Sequence, residues 1–335
     1  MFEKFRLSRN LLLLPCILGT LGSNAVAENK PLETITFFGM CDASAITTID
    51  AERFIVADDE DNVLRVYHRS GGKALVERDV SKFLGNIGKK KVKEADLEAS
   101  AHIGLRTFWI TSHGTNSKGK EEPSRQRLFA TDIRISGETV AIEPLGEPYV
   151  GLLDALISDK RFDRYKLAEA ATHPPKTPGA LNIEGLSATP ENHLLIGFRN
   201  PVPEGKALLI PLLNPNEVVQ GANARFGDPI EIDLGGLGIR SIDFQAGRYL
   251  IIAGPIESVG ASRLYEWNGK DQPKLVEGIV FTRINPEGVV FDGKDGTKEY
   301  FVVSDDGNVP IDGINCKYLE DDSKKQFRAK LFRLQ

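Results

Sequence analysis

One phrase recurs through this chain and limits what it can fold into. An acidic residue and a small residue open a short apolar strand. A polar turn reverses it, and a second apolar strand ends in polar residues. The clearest copy is Asn182–Pro201, NIEGLSATPENHLLIGFRNP, and a second is NPEGVVFDGKDGTKEYFVVSDDGN at 285–308. Earlier copies are CDASAITTIDAERFIVADDEDN at 41–62 and LEASAHIGLRTFWITSHGTN at 97–116; IRSIDFQAGRYLIIAGP at 239–255 is degenerate. Repeats of this period mark solenoids, propellers or arrays.

Each copy extends to four strands. The third strands read VLRVY, RLFAT, ALLIP, RLYEW and KLFRL. Short segments rich in Val, Ile, Phe and Tyr between Gly, Pro and Asp turns predict all-β structure. The fifth unit lacks a fourth strand, and a spare strand, ETITFF at 33–38, precedes the first. If that strand completes the last unit, the chain is a β-propeller of five four-stranded blades without an open sheet edge at the seam.

The phrase-opening positions are 42, 98, 184, 240 and 287, with Arg at 240. The long second interval holds LLDALISDKRFDRYKLAEAA at 152–171, whose apolar spacing suits an amphipathic helix. The reading is a helical insertion, about 150–175, between blades 2 and 3. As a crossover it would lie on the polar face and could act as a lid. A sixth blade hidden in this interval is the alternative.

The N-terminus reads as a targeting segment. Lys4, Arg6 and Arg9 precede the short apolar run Leu11–Gly22, and Ala25-Val26-Ala27 supplies a small-residue cleavage pattern. Residues 1–27 are therefore expected to be a signal peptide, with 28–335 a single propeller domain, periplasmic or secreted. No other stretch approaches the roughly 18 apolar residues of a membrane span. A formal charge of −5 argues against non-specific nucleic-acid binding. A monomer is expected.

Blade geometry turns the repeat into a constellation. The start of strand one and the loop after strand two share one face. Asp42, Glu98, Glu184 and Glu287 should ring the channel mouth with Arg240. Asp58, Asp59, His113, Arg199, Asn200, Asp305 and Asp306 should surround that ring. Crowded carboxylates repel, which raises their pKa values or demands a cation. Asp42, Glu98, Glu184 and Glu287 are thus candidate ligands for calcium or another divalent cation, which takes several oxygens. His113, Arg199, Asn200, Arg240, Asp305 and Asp306 are candidates for holding a small anionic ligand. The competing reading is a salt-bridged ring, with Arg240 neutralising Glu184 and Glu287.

The NPEGVVFD…YFVVSDDGN and NIEGLSA…LLIGFRNP units resemble the repeats of an uncharacterised family of secreted bacterial propellers. They are more distantly similar to esterase-like phytase propellers and to gluconolactonase-type propellers. In the last family the Glu of the EG turn is a metal ligand, which the resemblance places on Glu184 and Glu287; that family has six blades where this chain counts five. Two functions follow as expectations. One is a metal-dependent hydrolase of a phosphoester, ester or lactone. The other is a non-catalytic propeller that binds a ligand or an unknown protein partner.

Past the targeting segment only Cys41 and Cys316 remain. If the N-terminal strand is the outer strand of blade 5, it delivers Cys41 to the polar face. Cys316 lies in a loop of the same blade opening on that face. A Cys41–Cys316 disulfide is expected; two separate buried thiols are the alternative.

Overall fold

The structure, a computed structural model, describes Met1 and residues 31–89, 91–257, 259–291 and 299–333. Residues 2–27 of the expected targeting segment lie outside them. The described chain is a five-bladed β-propeller. Each blade is built on a four-stranded antiparallel sheet, and the fifth adds a short parallel strand, Gly72–Lys73. The inner strands are Ala43–Thr48, Leu97–Ile103, Asn182–Ala188, Gly238–Gln245 and Pro286–Phe291. Each contacts the next, and the fifth contacts the first, so the ring is closed.

Closure uses both ends of the chain. Glu33–Phe38 pairs antiparallel with Gln326–Arg333, Phe37 lying opposite Phe327, and Gln326–Arg333 pairs in turn with Glu299–Ser304. Blade 5 is thus the C-terminal strands completed by the N-terminal one. Phe37 stacks on Phe327 at 4.9 Å and meets Phe54 of blade 1 edge-on at 5.2 Å.

The period of two explains where the core sits. Successive strand side chains point to opposite faces, and each face packs on a neighbouring blade. Phe54 and Val56 pack toward blade 5, whereas Ile55 and Ala57 pack toward blade 2. The same alternation produces five apolar clusters, one at each blade-to-blade boundary.

The helical insertion is present: helix Leu152–Ser158, a 3-10 segment Lys160–Tyr165 and helix Leu167–Ala170. No strand is described between Tyr149 and Asn182, so the interval holds no sixth blade. The insertion is not a lid. Leu152, Leu156, Phe162, Tyr165 and Leu167 are buried in the cluster between blades 2 and 3. Phe162 meets Phe226 edge-on at 5.7 Å. The apolar face of the insertion covers the open wedge between two blades instead of the channel mouth.

Cys41 and Cys316 form a disulfide, with Cα atoms 5.8 Å apart. It ties the first loop of the chain to blade 5, and it fits an oxidising compartment.

Candidate functional site

Each inner strand breaks register near its start. Pairing skips from Leu97 to Ala99, Ile183 to Gly185, Ile239 to Ser241 and Pro286 to Gly288. Glu98, Glu184, Arg240 and Glu287 are the residues skipped. A bulge re-aims the extra side chain and often marks a site. In blade 1 the skip runs from Ala43 to Ile46, which gives Ser44 the equivalent place. The ring expected at the channel mouth is therefore Ser44, Glu98, Glu184, Arg240 and Glu287. Asp42, expected in the ring with Glu98, Glu184 and Glu287, stands two residues before Ser44.

Asp42 belongs to a second tier, with Asp96, Asn182, Gly238 and Asn285, each two residues before its bulge. Their carbonyls are read by the chain leaving strand two. Asp59 N–H donates to Asp42 O (3.3 Å), Ser112 N–H to Asp96 O (3.0 Å) and Asp305 N–H to Asn285 O (2.9 Å). The ring and the acidic members of this tier line one cavity of about 1590 Å³.

Charge divides the ring. On the side of blades 3 to 5 the carboxylates are paired. Arg199 Nη1 donates to Glu184 Oε1 at 2.6 Å, Arg240 Nε lies 3.6 Å from Glu184 Oε2, and Arg240 pairs with Glu287. Gly254 makes room for this, since any Cβ there would collide with the Arg240 side chain. This half is the salt-bridged arrangement weighed against a metal site.

On the side of blades 1 and 2 the carboxylates face one another. Oxygens of Asp59, Asp96 and Glu98 all lie within 4.8 Å of each other. Burial, and then the Glu98 and Asp58 charges, hold the Asp59 carboxyl well above its ordinary range. Burial, and then Glu184 and Asp96, do the same to Glu98. Burial also raises Asp96, against the opposing pull of Arg125. Ser44 and Ser112 hydroxyls donate to Glu98 Oε2 and Asp96 Oδ2, and Arg125 Nη1 lies 3.1 Å from that same Asp96 oxygen. Asp59 Oδ1 is shielded from water and has no hydrogen-bond partner. Nearby, Asp42 is pushed up to about 8 by burial, by Asp58 and by Asp305.

The other expected ligand-binding residues separate. Asp305 lines the cavity; it accepts from Gly307 N–H at 2.9 Å and from Asn285 Nδ2 at 2.8 Å. Asp306 is held by Arg328 at 2.7 and 2.8 Å. Asn200 is fully buried, and donates to Pro175 O (2.9 Å) and Thr177 O (2.7 Å) while accepting from Gly179 N–H (3.1 Å). It anchors the loop that returns from the insertion. His113 is 1% exposed, with Nδ1 donating to Thr111 O at 2.8 Å. Burial pushes its pKa down to about 4, which keeps the ring neutral at pH 7.

Asp96 escaped the reading of the sequence. Its signal was there: an Asp two residues before a bulge Glu, matching Asp42 before Ser44. Recognising it requires counting from the bulge, and the bulge is a pairing property.

Residues 146–283 match a family described as "Protein of unknown function (DUF3616)". The matched stretch runs from the outer strand of blade 2 through blade 4. It contains Glu184, Arg199 and Arg240, but neither their partner Glu287 nor the carboxylates Asp59, Asp96 and Glu98. No curated protein gives a significant match to the sequence. Among solved structures, glutaminyl cyclase of Myxococcus xanthus is 11% identical, with a TM-score of 0.44, covering 91% of this chain and 97% of that one. The PQQ-bound aldose sugar dehydrogenase of Streptomyces coelicolor is 10% identical with a TM-score of 0.43, covering 91% of this chain and 98% of its own. Trypanosoma rangeli sialidase is 11% identical with a TM-score of 0.42, covering 86% of this chain and 49% of that one. At such identities nothing about activity transfers.

Proposed function

We propose that this is an exported propeller that binds a divalent cation, calcium foremost, through Asp59, Asp96 and Glu98, and a small anion beside it. The observation that carries the reading is the convergence of those three carboxylates, with Asp59 Oδ1 buried and unpartnered. An oxygen shielded from water and left without a donor is costly unless something fills the place. Calcium bonds oxygens at 2.3–2.6 Å, so two ligands across one ion sit at most about 5 Å apart. The 4.8 Å cluster meets that limit. Ser44 and Ser112 hold one oxygen of Glu98 and of Asp96 and leave the other to bind. Among the described residues Arg125 is the one guanidinium group at this cluster, paired with Asp96 at 3.1 Å, and the cation would answer the charge of Asp59 and Glu98 that it leaves, and would draw an anion into the cavity.

Of the two functions expected, binding is better supported than hydrolysis. A general base must reach the reacting proton. His113 is buried and does not line the cavity, and Arg199 and Arg240 are engaged by Glu184 and Glu287. Calcium titration against melting temperature tests the reading, since an ion that binds only the folded state stabilises it. Calcium should raise the midpoint over chelator, and Asp59→Asn with Glu98→Gln should remove the rise. Identical melts for the wild type in calcium and in chelator would refute the cation centre.

A further inference from the structure

The crossover from blade 4 to blade 5 brings apolar side chains onto the polar face. The outer strand of blade 4 ends at Leu275, and residues 276–284 leave the sheet. Leu275 is 38% exposed and Val280 47% exposed. Together with Phe281 and Ile284 they line the same cavity as Asp59, Asp96 and Glu98. The wall is fixed from behind. Phe281 meets Phe332 edge-on at 5.8 Å, and Lys330 Nζ donates to Thr282 O at 2.5 Å.

Two arginines line the cavity on this side, Arg283 on the wall itself and Arg263 at the start of strand Arg263–Trp267. Both are exposed. Among the described residues neither has a carboxylate within ion-pair distance, unlike Arg199 and Arg240. The cavity therefore offers a carboxylate cluster on one side and unpaired guanidinium groups beside an apolar surface on the other. A bare inorganic ion would use the charges and leave the apolar wall wet. A neutral apolar molecule would use the wall and leave the charges unanswered.

We infer that the ligand of this cavity is an organic anion with an apolar body, an aryl or alkyl phosphate or carboxylate. Its head faces the cation and the arginines, and its body covers Val280 and Phe281. The inference rests on the cation-binding reading for the position of the head, while the apolar wall is independent of it. Apolar burial favours such a ligand in proportion to the area it covers.

Isothermal titration of the purified protein tests this. Phenyl phosphate is compared with inorganic phosphate, and octanoate with acetate, each with calcium and with chelator. At least one organic anion should bind roughly tenfold more tightly than its bare counterpart. The pair that shows it names the head group. Val280→Ser, at an exposed position, should cut that preference to about threefold or less and leave inorganic phosphate unchanged. Arg283→Gln should weaken the organic and the bare anion alike. Equal affinities within both pairs, or a preference untouched by Val280→Ser, would overturn the inference. Loss of the calcium response alone would refute the cation centre, with the apolar preference still read in chelator.

Discussion

The Ser44 hydroxyl donates to Glu98 Oε2 at 3.0 Å, across the boundary between blades 1 and 2. Its significance lies in what it replaces. Around the ring the bulge residues are Ser, Glu, Glu, Arg and Glu. Glu184 and Glu287 each receive a guanidinium group, whereas Glu98 receives only a hydroxyl. A neutral donor satisfies one oxygen without cancelling the charge. The excess negative charge of the channel mouth therefore collects at Glu98, beside Asp59 and Asp96.

That imbalance should be visible without any ligand. A buried carboxylate whose pKa is raised destabilises the fold when it ionises. In chelator at pH 8, Glu98→Gln should keep the Ser44 contact and remove the charge. Its melting midpoint is expected to rise by about 2 °C, near 1 kcal/mol for a chain of this size. The calcium response should fall at the same time. A variant that melts lower in chelator would show that the carboxylate is already compensated.

His113 should set an acid limit on stability. Burial lowers its pKa to about 4 in the folded state, against an ordinary value of 6.5. Between those values the unfolded chain binds the extra proton, so stability falls as pH falls from 6.5 toward 4. The full loss from this residue is roughly 3–4 kcal/mol. The backbone at His113 is left-handed, with φ 55°, a conformation Asn tolerates better than most residues. His113→Asn should therefore fold, and the gap between wild type and variant should change only below pH 6.5. A gap constant from pH 4.5 to pH 8 would contradict this assignment.

The sequence carried the architecture because a propeller repeats its information. Five copies of one strand pair, a spare ETITFF at one end and a missing strand at the other leave few ways to close the ring. Cys41 and Cys316 could be paired once that closure was drawn. Site detail was less legible for two physical reasons. Bulges shift a side chain by one place without any mark in the residue types, so Ser44 and Asp96 were invisible as ring and tier members. Apolar periodicity also shows that a helix has a buried face without saying what buries it, which is why 152–171 could pass for a lid.

The insertion supplies a third prediction. A lid could be removed without cost, but Leu152, Leu156 and Phe162 are each no more than 2% exposed and fill the wedge between blades 2 and 3. Large-to-small changes at such sites cost about 2–5 kcal/mol each. Replacing 152–171 by a Gly/Ser bridge should give an insoluble or molten product. Phe162→Ala alone should lower the denaturant midpoint by about 3 kcal/mol equivalent. A soluble, cooperatively melting deletion would show that the two blades close on each other without it.

The disulfide should contribute most to holding the ring shut. Cys41 and Cys316 are 275 positions apart in sequence. On the chain-entropy estimate, closing so long a loop stabilises by roughly 5 kcal/mol, with measured values often lower. Without it the N-terminal strand is held to blade 5 by its pairing with Gln326–Arg333 and by the packing of Phe37. The bond also steadies the cavity rim. Cys41 O accepts from Asp306 N–H at 2.9 Å, and Lys317, next to Cys316, lies 3.5 Å from Glu60. The Cys41→Ser/Cys316→Ser variant should lose about 3–5 kcal/mol in denaturant unfolding. Hydrogen exchange should then show the earliest opening in 33–38, ahead of the inner strands, because frayed edges exchange first. If the variant loses less than about 1 kcal/mol and strand 33–38 stays as protected as Ala43–Thr48, strand pairing alone closes the propeller and the bond serves only the rim.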